Sequence, residues 1–168
     1  MMSGYFGFGV ESSSKPYNAG NLVRSTHAFG GSFFVFIQPV IDYRKVRQSD
    51  TSGAIKNFPV YQYDNAKEMV MPDRCALVGI ELTDEAIELP SFRHPKSALY
   101  LLGPEKGHLS EAAQSRCDFM IKIPMKFCVN VGVAGAIVMY DRLLTRGRFP
   151  DRPVSPSSHL KQMRQNRL

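Results

Sequence analysis

The chain of 168 residues has no tryptophan and only three cysteines. Cys75, Cys117 and Cys128 are odd in number and far apart, with no C-x-x-C pair and no His/Cys cluster. That pattern excludes a disulfide framework and a zinc site, so no metal is expected. The opening residues MMSGYFGFGV lack the basic start and apolar core of a secretory leader. The longest apolar stretch, around Cys128–Tyr140, falls short of the ~18 residues that span a bilayer. A cytoplasmic protein without a membrane partner is therefore expected. Phosphate-cradling loops are missing too. There is no G-x-x-x-x-G-K-[ST], and no G-x-G-x-x-G after a strand, because the GYFGFG at residues 4–9 is read as preceding the first strand. This argues against a nucleotide-dependent oxidoreductase. Acid is scarce at one end. Residues 142–168 hold seven basic side chains (Arg142, Arg146, Arg148, Arg152, Lys161, Arg164 and Arg167) against Asp151 alone, while the rest of the chain is balanced. The net charge of +6 thus sits in the C-terminal segment, which suits a polyanion such as nucleic acid or simply a solvated tail.

What is present describes a folded domain: 43% hydrophobic and 21% charged residues. Apolar runs predict strands at SFFVFIQP (32–39), CALVGIEL (75–82), SALYLLG (97–103) and FMIKIP (119–124). Helical patterns are expected near Asn18–Phe29, Ile41–Arg47, Asn65–Val70, Ser110–Ser115 and Val129–Arg146, the first stopped by Gly30-Gly31. Alternating strands and helices imply an α/β fold with a parallel sheet covered on both faces. Residues 1–148 are read as the domain. Residues 149–168, rich in Pro and Ser at FPDRPVSPSSHL, are read as a basic tail leaving it.

In such sheets ligands bind beyond the carboxyl ends of the strands. Three segments therefore stand out. KPYNAGNLVR (15–24) carries Asn18, a candidate helix cap, and Arg24. LYLLGPEKGHLSE (99–111) runs from a strand through Gly103 and Glu105 to Ser110, a candidate cap. IKIPMKFCVNVGVAGAIVMYDRL (121–143) places Cys128 and Asn130 at the start of a helix kept slim by Gly132, Ala134, Gly135 and Ala136. Each alone is ordinary: a capped helix, a strand–turn–helix junction, core packing.

Together and in this order, P-x-N-x-G-x-x-x-R, L-x-x-L-G-x-E…L-S and I-P-M…N-V-x-V-A-x-A-I-x-x-Y resemble the SpoU/TrmH-type RNA ribose methyltransferases of the SPOUT superfamily, across about residues 8–146. The resemblance implies a deep C-terminal trefoil knot, an exception to the usual absence of threaded chains. It also implies S-adenosylmethionine as cofactor, a homodimer, and methyl transfer to a ribose 2′-hydroxyl of RNA, with tRNA favoured and rRNA the other candidate. Carried across by motif, Arg24, Asn18, Glu105 and Asn130 are the expected active-site residues. Leu82, Gly103, Ile123, Cys128 and Val129 are expected around the cofactor. Arginine has a pKa above ~12, so Arg24 suits a phosphate-holding role better than a general base. Three departures from the family pattern stand out. Cys128 replaces the usual serine, the connection Lys126-Phe127 is short, and Gly107 follows Glu105 by two residues with His108 in the usual glycine place. These leave a catalytically silent, knotted RNA-binding protein as the alternative. RNA recognition is expected from the dimer surface and the basic tail.

Overall fold

The computed structural model describes residues 4–41, 44–46, 53–57, 59–147 and 149. The basic tail beyond residue 149, and part of the helix expected at Ile41–Arg47, lie outside the described residues. Seven strands run β1 (Phe6–Glu11), β2 (Phe33–Ile37), β3 (Val60–Tyr63), β4 (Ala76–Ile80), β5 (Ile87–Glu88), β6 (Ala98–Leu102) and β7 (Phe119–Lys122). Among the described residues the helices are α1 (Pro16–Ala28), the single turn α2 (Glu111–Gln114) and α3 (Val131–Arg146), and residues 44–46, within the helix expected at Ile41–Arg47, are helical too. All strand pairs are parallel, in the order β3-β2-β1-β6-β4-β7-β5. The expected α/β class with a parallel sheet is what forms.

Strand periodicity divides the core into two layers. Phe8, Phe34, Tyr100, Leu102, Val78 and Ile121 face α1 and α3, where they meet Leu22, Val23, Val138 and Met139. Phe33, Val35, Leu77, Leu99 and Leu101 face the other way, onto Leu109 just before α2 and Ala113 within it. Each fully buried Phe or Leu contributes on the order of 1.5–3 kcal/mol. Phe8 stacks on Tyr100 with ring centroids 5.3 Å apart. The slim face of α3 works as its sequence suggests, since a Cβ on Gly135 would come within 2.4 Å of Leu22 Cδ2 on α1.

Several expectations are corrected. The GYFGFG stretch does not precede the first strand; most of it is β1, in the middle of the sheet. Alternating Phe and Gly read poorly as a strand because glycine has no side chain to pack. Here that absence is required: a Cβ on Gly7 would lie 2.5 Å from the Phe33 ring. Strands β3 and β5 were also not foreseen, being short and largely exposed. Residues 65–70 form a turn rather than a helix. Asn65 Oδ1 accepts from the amides of Lys67 and Glu68. The Arg116 guanidinium takes the carbonyls of Ala66, Lys67 and Met69. Asn18 is not the cap of α1: Lys15 holds that position and Pro16 opens the helix.

Arg142, counted with the basic charge of residues 142–168, is not offered to a polyanion: it is 3% exposed on the inner face of α3. Its guanidinium donates to Pro95 O (2.7 Å), Lys96 O (2.9 Å), Tyr5 O (3.4 Å) and Tyr100 OH (3.1 Å). With Arg142 donating to it, the Tyr100 hydroxyl directs its own proton to His94 Nδ1, 2.6 Å away. His94 Nε2–H then donates to Asp141 at 2.9 Å, and the imidazole is neutral. Burial lowers the His94 pKa, and Arg142 and Arg146 add to this; the hydrogen bond and charge of Asp141 oppose without reversing it. The folded protein therefore binds fewer protons at His94 than the unfolded chain. This stability is present above the unfolded pKa of ~6.5 and is lost as pH falls through the depressed folded value. The urea midpoint should fall between about pH 7.5 and about pH 5.5, and His94→Gln should flatten that dependence.

Candidate active site

The sheet and its loops place two recesses side by side. The first is a cavity of about 220 Å³ beyond the carboxyl ends of β4, β6 and β7. Ile80, Leu102, Ile123, Met125, Val131 and Ala134 supply its apolar walls. Its polar groups come from Lys15, Asn18, Glu81, Glu105, Lys122 and Asn130. All five residues expected around a cofactor (Leu82, Gly103, Ile123, Cys128 and Val129) line this cavity. Gly103 fits because its position is crowded: a Cβ would lie 3.0 Å from the Leu109 amide nitrogen. Cys128 is exposed at the rim.

Three of the four expected catalytic residues form one hydrogen-bonded chain. Asn130 is the N-cap of α3, its Oδ1 accepting from the Gly132 amide at 2.8 Å. Its Nδ2 donates to Asn18 Oδ1 at 2.9 Å, and Asn18 Nδ2 donates to Glu105 Oε1 at 3.2 Å. Asn18, 8% exposed, thus bridges the start of α3 to the loop after β6. Glu105 also accepts from Ser13 Oγ (3.0 Å), the Ser14 amide (3.0 Å) and Ser14 Oγ (3.1 Å). Burial raises the Glu105 pKa, but its hydrogen bonds with the Ser14 amide, its own amide, Asn18 and Ser13 outweigh that and hold it below the ordinary carboxylate value. Glu105 is therefore ionised near neutral pH and is no proton acceptor. It fixes the Asn18 amide instead.

Arg24 lies elsewhere. Six residues along α1 turn the helix by about 600°, so Asn18 and Arg24 leave on different faces. Arg24 lines the second recess, a groove of about 850 Å³ between α1 and α3. Asn21, Phe29, Val133, Ile137, Tyr140 and Leu144 share it. Cavity and groove meet at Ile123 and Asn130, which line both. Within one chain Asn18 therefore lines the cavity and Arg24 the groove, two recesses with a common wall. Sequence reasoning missed Ser13, Ser14 and Glu81, since the loop holding the serines could be placed only once β1 was recognised. Among the described residues no group of three His, Cys, Asp or Glu side chains can hold a metal. No helix among them is long and apolar enough to cross a membrane.

Comparison with known proteins follows the same outline. An uncharacterised tRNA/rRNA methyltransferase of Synechocystis sp. is 29% identical in an alignment of 153 residues that covers 86% of this chain. The chain spans 39% of that relative's length. The AdoMet complex of the SpoU methyltransferase AviRb from Streptomyces viridochromogenes superposes with a TM-score of 0.74 at 22% identity, covering 87% of this chain and 62% of the other. A structure concerned with 2-OH methylation of C/U34 on tRNA gives 0.71 at 23% identity, covering 85% and 98%. Residues 8–140 match the model of the SpoU rRNA Methylase family. That match takes in most of β1 together with Asn18, Arg24, Glu105 and Asn130, and the chain belongs to this family.

Proposed function

We propose that this chain is an S-adenosylmethionine-dependent methyltransferase acting on a ribose 2′-hydroxyl of RNA, tRNA before rRNA, in the cytoplasm. The observation that carries the reading is the Asn130–Asn18–Glu105 chain, which joins all three motifs along the cavity and reaches the groove at Asn130. The cavity suits the cofactor chemically: apolar walls for adenine, a tight strand–loop turn at Gly103, and carboxylates compatible with a cation. When bound, S-adenosylmethionine supplies an electrophilic methyl group on a sulfonium. Leu82, Gly103, Ile123, Cys128 and Val129 would enclose it.

The protein's task is then placement. Asn130 and Asn18, locked by Glu105, fix the wall past which the hydroxyl oxygen approaches. Arg24, in the groove, holds a phosphate of the RNA strand by two parallel hydrogen bonds. The ribose oxygen held there would take the methyl group as the methyl–sulfur bond breaks. The hydroxyl proton leaves to a phosphate oxygen or water, because Glu105 is saturated and Arg24 stays charged.

The reading extends to a homodimer, a C-terminal trefoil knot and an RNA-binding tail. Val133, Ile137 and Tyr140 repeat at helical spacing on α3 and are 49%, 38% and 52% exposed, an apolar stripe that a second copy would cover. Ile137→Asp should then shift the protein to monomer in light scattering. Truncation after Arg148 should weaken RNA binding and flatten its salt dependence; an unchanged slope removes the tail from the interface. The decisive test joins calorimetry with S-adenosylmethionine to mass spectrometry of tRNA and rRNA from cells with and without the protein. A missing ribose methyl group supports the reading. No cofactor binding at millimolar ligand would favour a silent RNA-binding relative instead.

A further inference from the structure

The carboxylates near the cavity differ in the hydrogen-bonding capacity they retain. An ionised carboxylate offers about four acceptor positions. Glu105 fills its own with Ser13, the Ser14 amide, the Ser14 hydroxyl and Asn18. Glu11, buried at the end of β1, accepts from the Ser110 amide at 2.8 Å and hydroxyl at 2.7 Å and does not line the cavity. Glu81 is different. It follows β4 directly and lines the cavity with a side chain that is 11% exposed. Its Oε1 accepts from the Leu82 amide at 3.1 Å and lies 3.2 Å from His108 Nδ1. Its Oε2 accepts from the Leu109 amide at 3.0 Å. The imidazole facing it is 70% exposed. A side chain at position 103 would put its Cβ 3.5 Å from Oε2, so glycine leaves that flank uncovered.

We propose that Glu81 contacts the methyl donor directly, its Oε2 accepting a hydrogen bond from a hydroxyl or ammonium group of the cofactor, while His108 competes for the same carboxylate. The proposal rests on the methyltransferase reading above. Two backbone amides hold the carboxylate in place, so little ordering remains to be done on binding. A charged acceptor in a partly buried site contributes more than a neutral one. His108 stands where the family usually has glycine, so the competing imidazole is a feature of this chain.

The test is calorimetry of the full chain with S-adenosylhomocysteine, the demethylated product, and with 5′-methylthioadenosine, which lacks the amino-acid end. Glu81→Gln should weaken product binding by about tenfold or more. His108→Ala should leave it unchanged or tighter, since it releases an acceptor position. A carboxylate that only braced the loop would make both substitutions weaken binding together with thermal stability, and that pattern overturns the proposal. If Glu81→Gln weakens the product but not methylthioadenosine, the donor is the ammonium; equal weakening points to the ribose hydroxyls. Glu81→Gln binding within about twofold of the unaltered chain overturns the proposal and leaves the methyltransferase reading standing. Should Glu81→Gln fail to fold, a tenfold loss in His108→Ala alone overturns it. An unaltered chain that binds neither ligand overturns the methyltransferase reading itself, and this proposal with it.

Discussion

Replacing Arg24 by lysine should lower methyl transfer by about a hundredfold while cofactor affinity stays within about twofold. The split follows from the two recesses. Arg24 lines the groove between α1 and α3, whereas the cavity is lined by Lys15, Asn18 and the strand ends. A guanidinium grips phosphate with two parallel donors in a fixed plane; an ammonium keeps the charge and loses that geometry. Losing one well-placed charged contact in the transition state costs on the order of 3 kcal/mol, which is the hundredfold expected here. Single-turnover kinetics with saturating RNA, paired with calorimetry of the cofactor, separates the two quantities. Full turnover in Arg24→Lys removes the bidentate role. A parallel loss of cofactor affinity would show that groove and cavity are not separate sites.

Arg142→Ala should destabilise the fold by about 3–5 kcal/mol. The side chain is one of the few buried charges, and it closes the base of the sheet. It joins the carbonyls of Tyr5, Pro95 and Lys96 to the hydroxyl of Tyr100, between β1, β6 and α3. The guanidinium also lies 5.2 Å from the centre of the Phe6 ring. Truncation strands those acceptors away from water and frees the Tyr100 hydroxyl that orients His94. Domains of this kind are stable by only about 5–15 kcal/mol, so the loss is a large share of the total. Urea denaturation at neutral pH measures it. The salt dependence of RNA binding should not change beyond the loss of folded protein, because Arg142 is buried rather than part of a basic surface. A variant with an unaltered midpoint would refute the structural role.

Much of the site was legible from the order of three motifs and the family they resemble. Asn18, Glu105 and Asn130 were expected together and meet through side-chain hydrogen bonds. The strand-end rule pointed to the segments after β4, β6 and β7; the family resemblance named Leu82, Gly103, Ile123, Cys128 and Val129 there, and these line one cavity. The roles were less legible. Glu105 looked like a group facing substrate, yet its oxygens are taken by Ser13, Ser14 and Asn18. Those partners lie some ninety residues away in sequence, so no local pattern could announce them. Glu81 passed unnoticed for the same reason, since its neighbours His108 and Leu109 belong to a distant loop.

By itself, then, the sequence determined the α/β class, the parallel order implied by alternating strands and helices, and which residue types gather at the strand ends. Period-two and period-3.6 patterns are local, and motif order is independent of how the chain folds back. Only the tertiary structure decided that Phe-Gly alternation makes β1, that Arg142 closes the sheet's base, and that Asn18 and Arg24 face separate recesses. Each depends on what stands opposite: the Phe33 ring against Gly7, carbonyls of two strand-end loops around one guanidinium, and the packing of α3 on α1. Close packing and pairing of buried polar groups are set by neighbours distant in sequence, and it is their geometry that separates a residue's presence at the site from its task there.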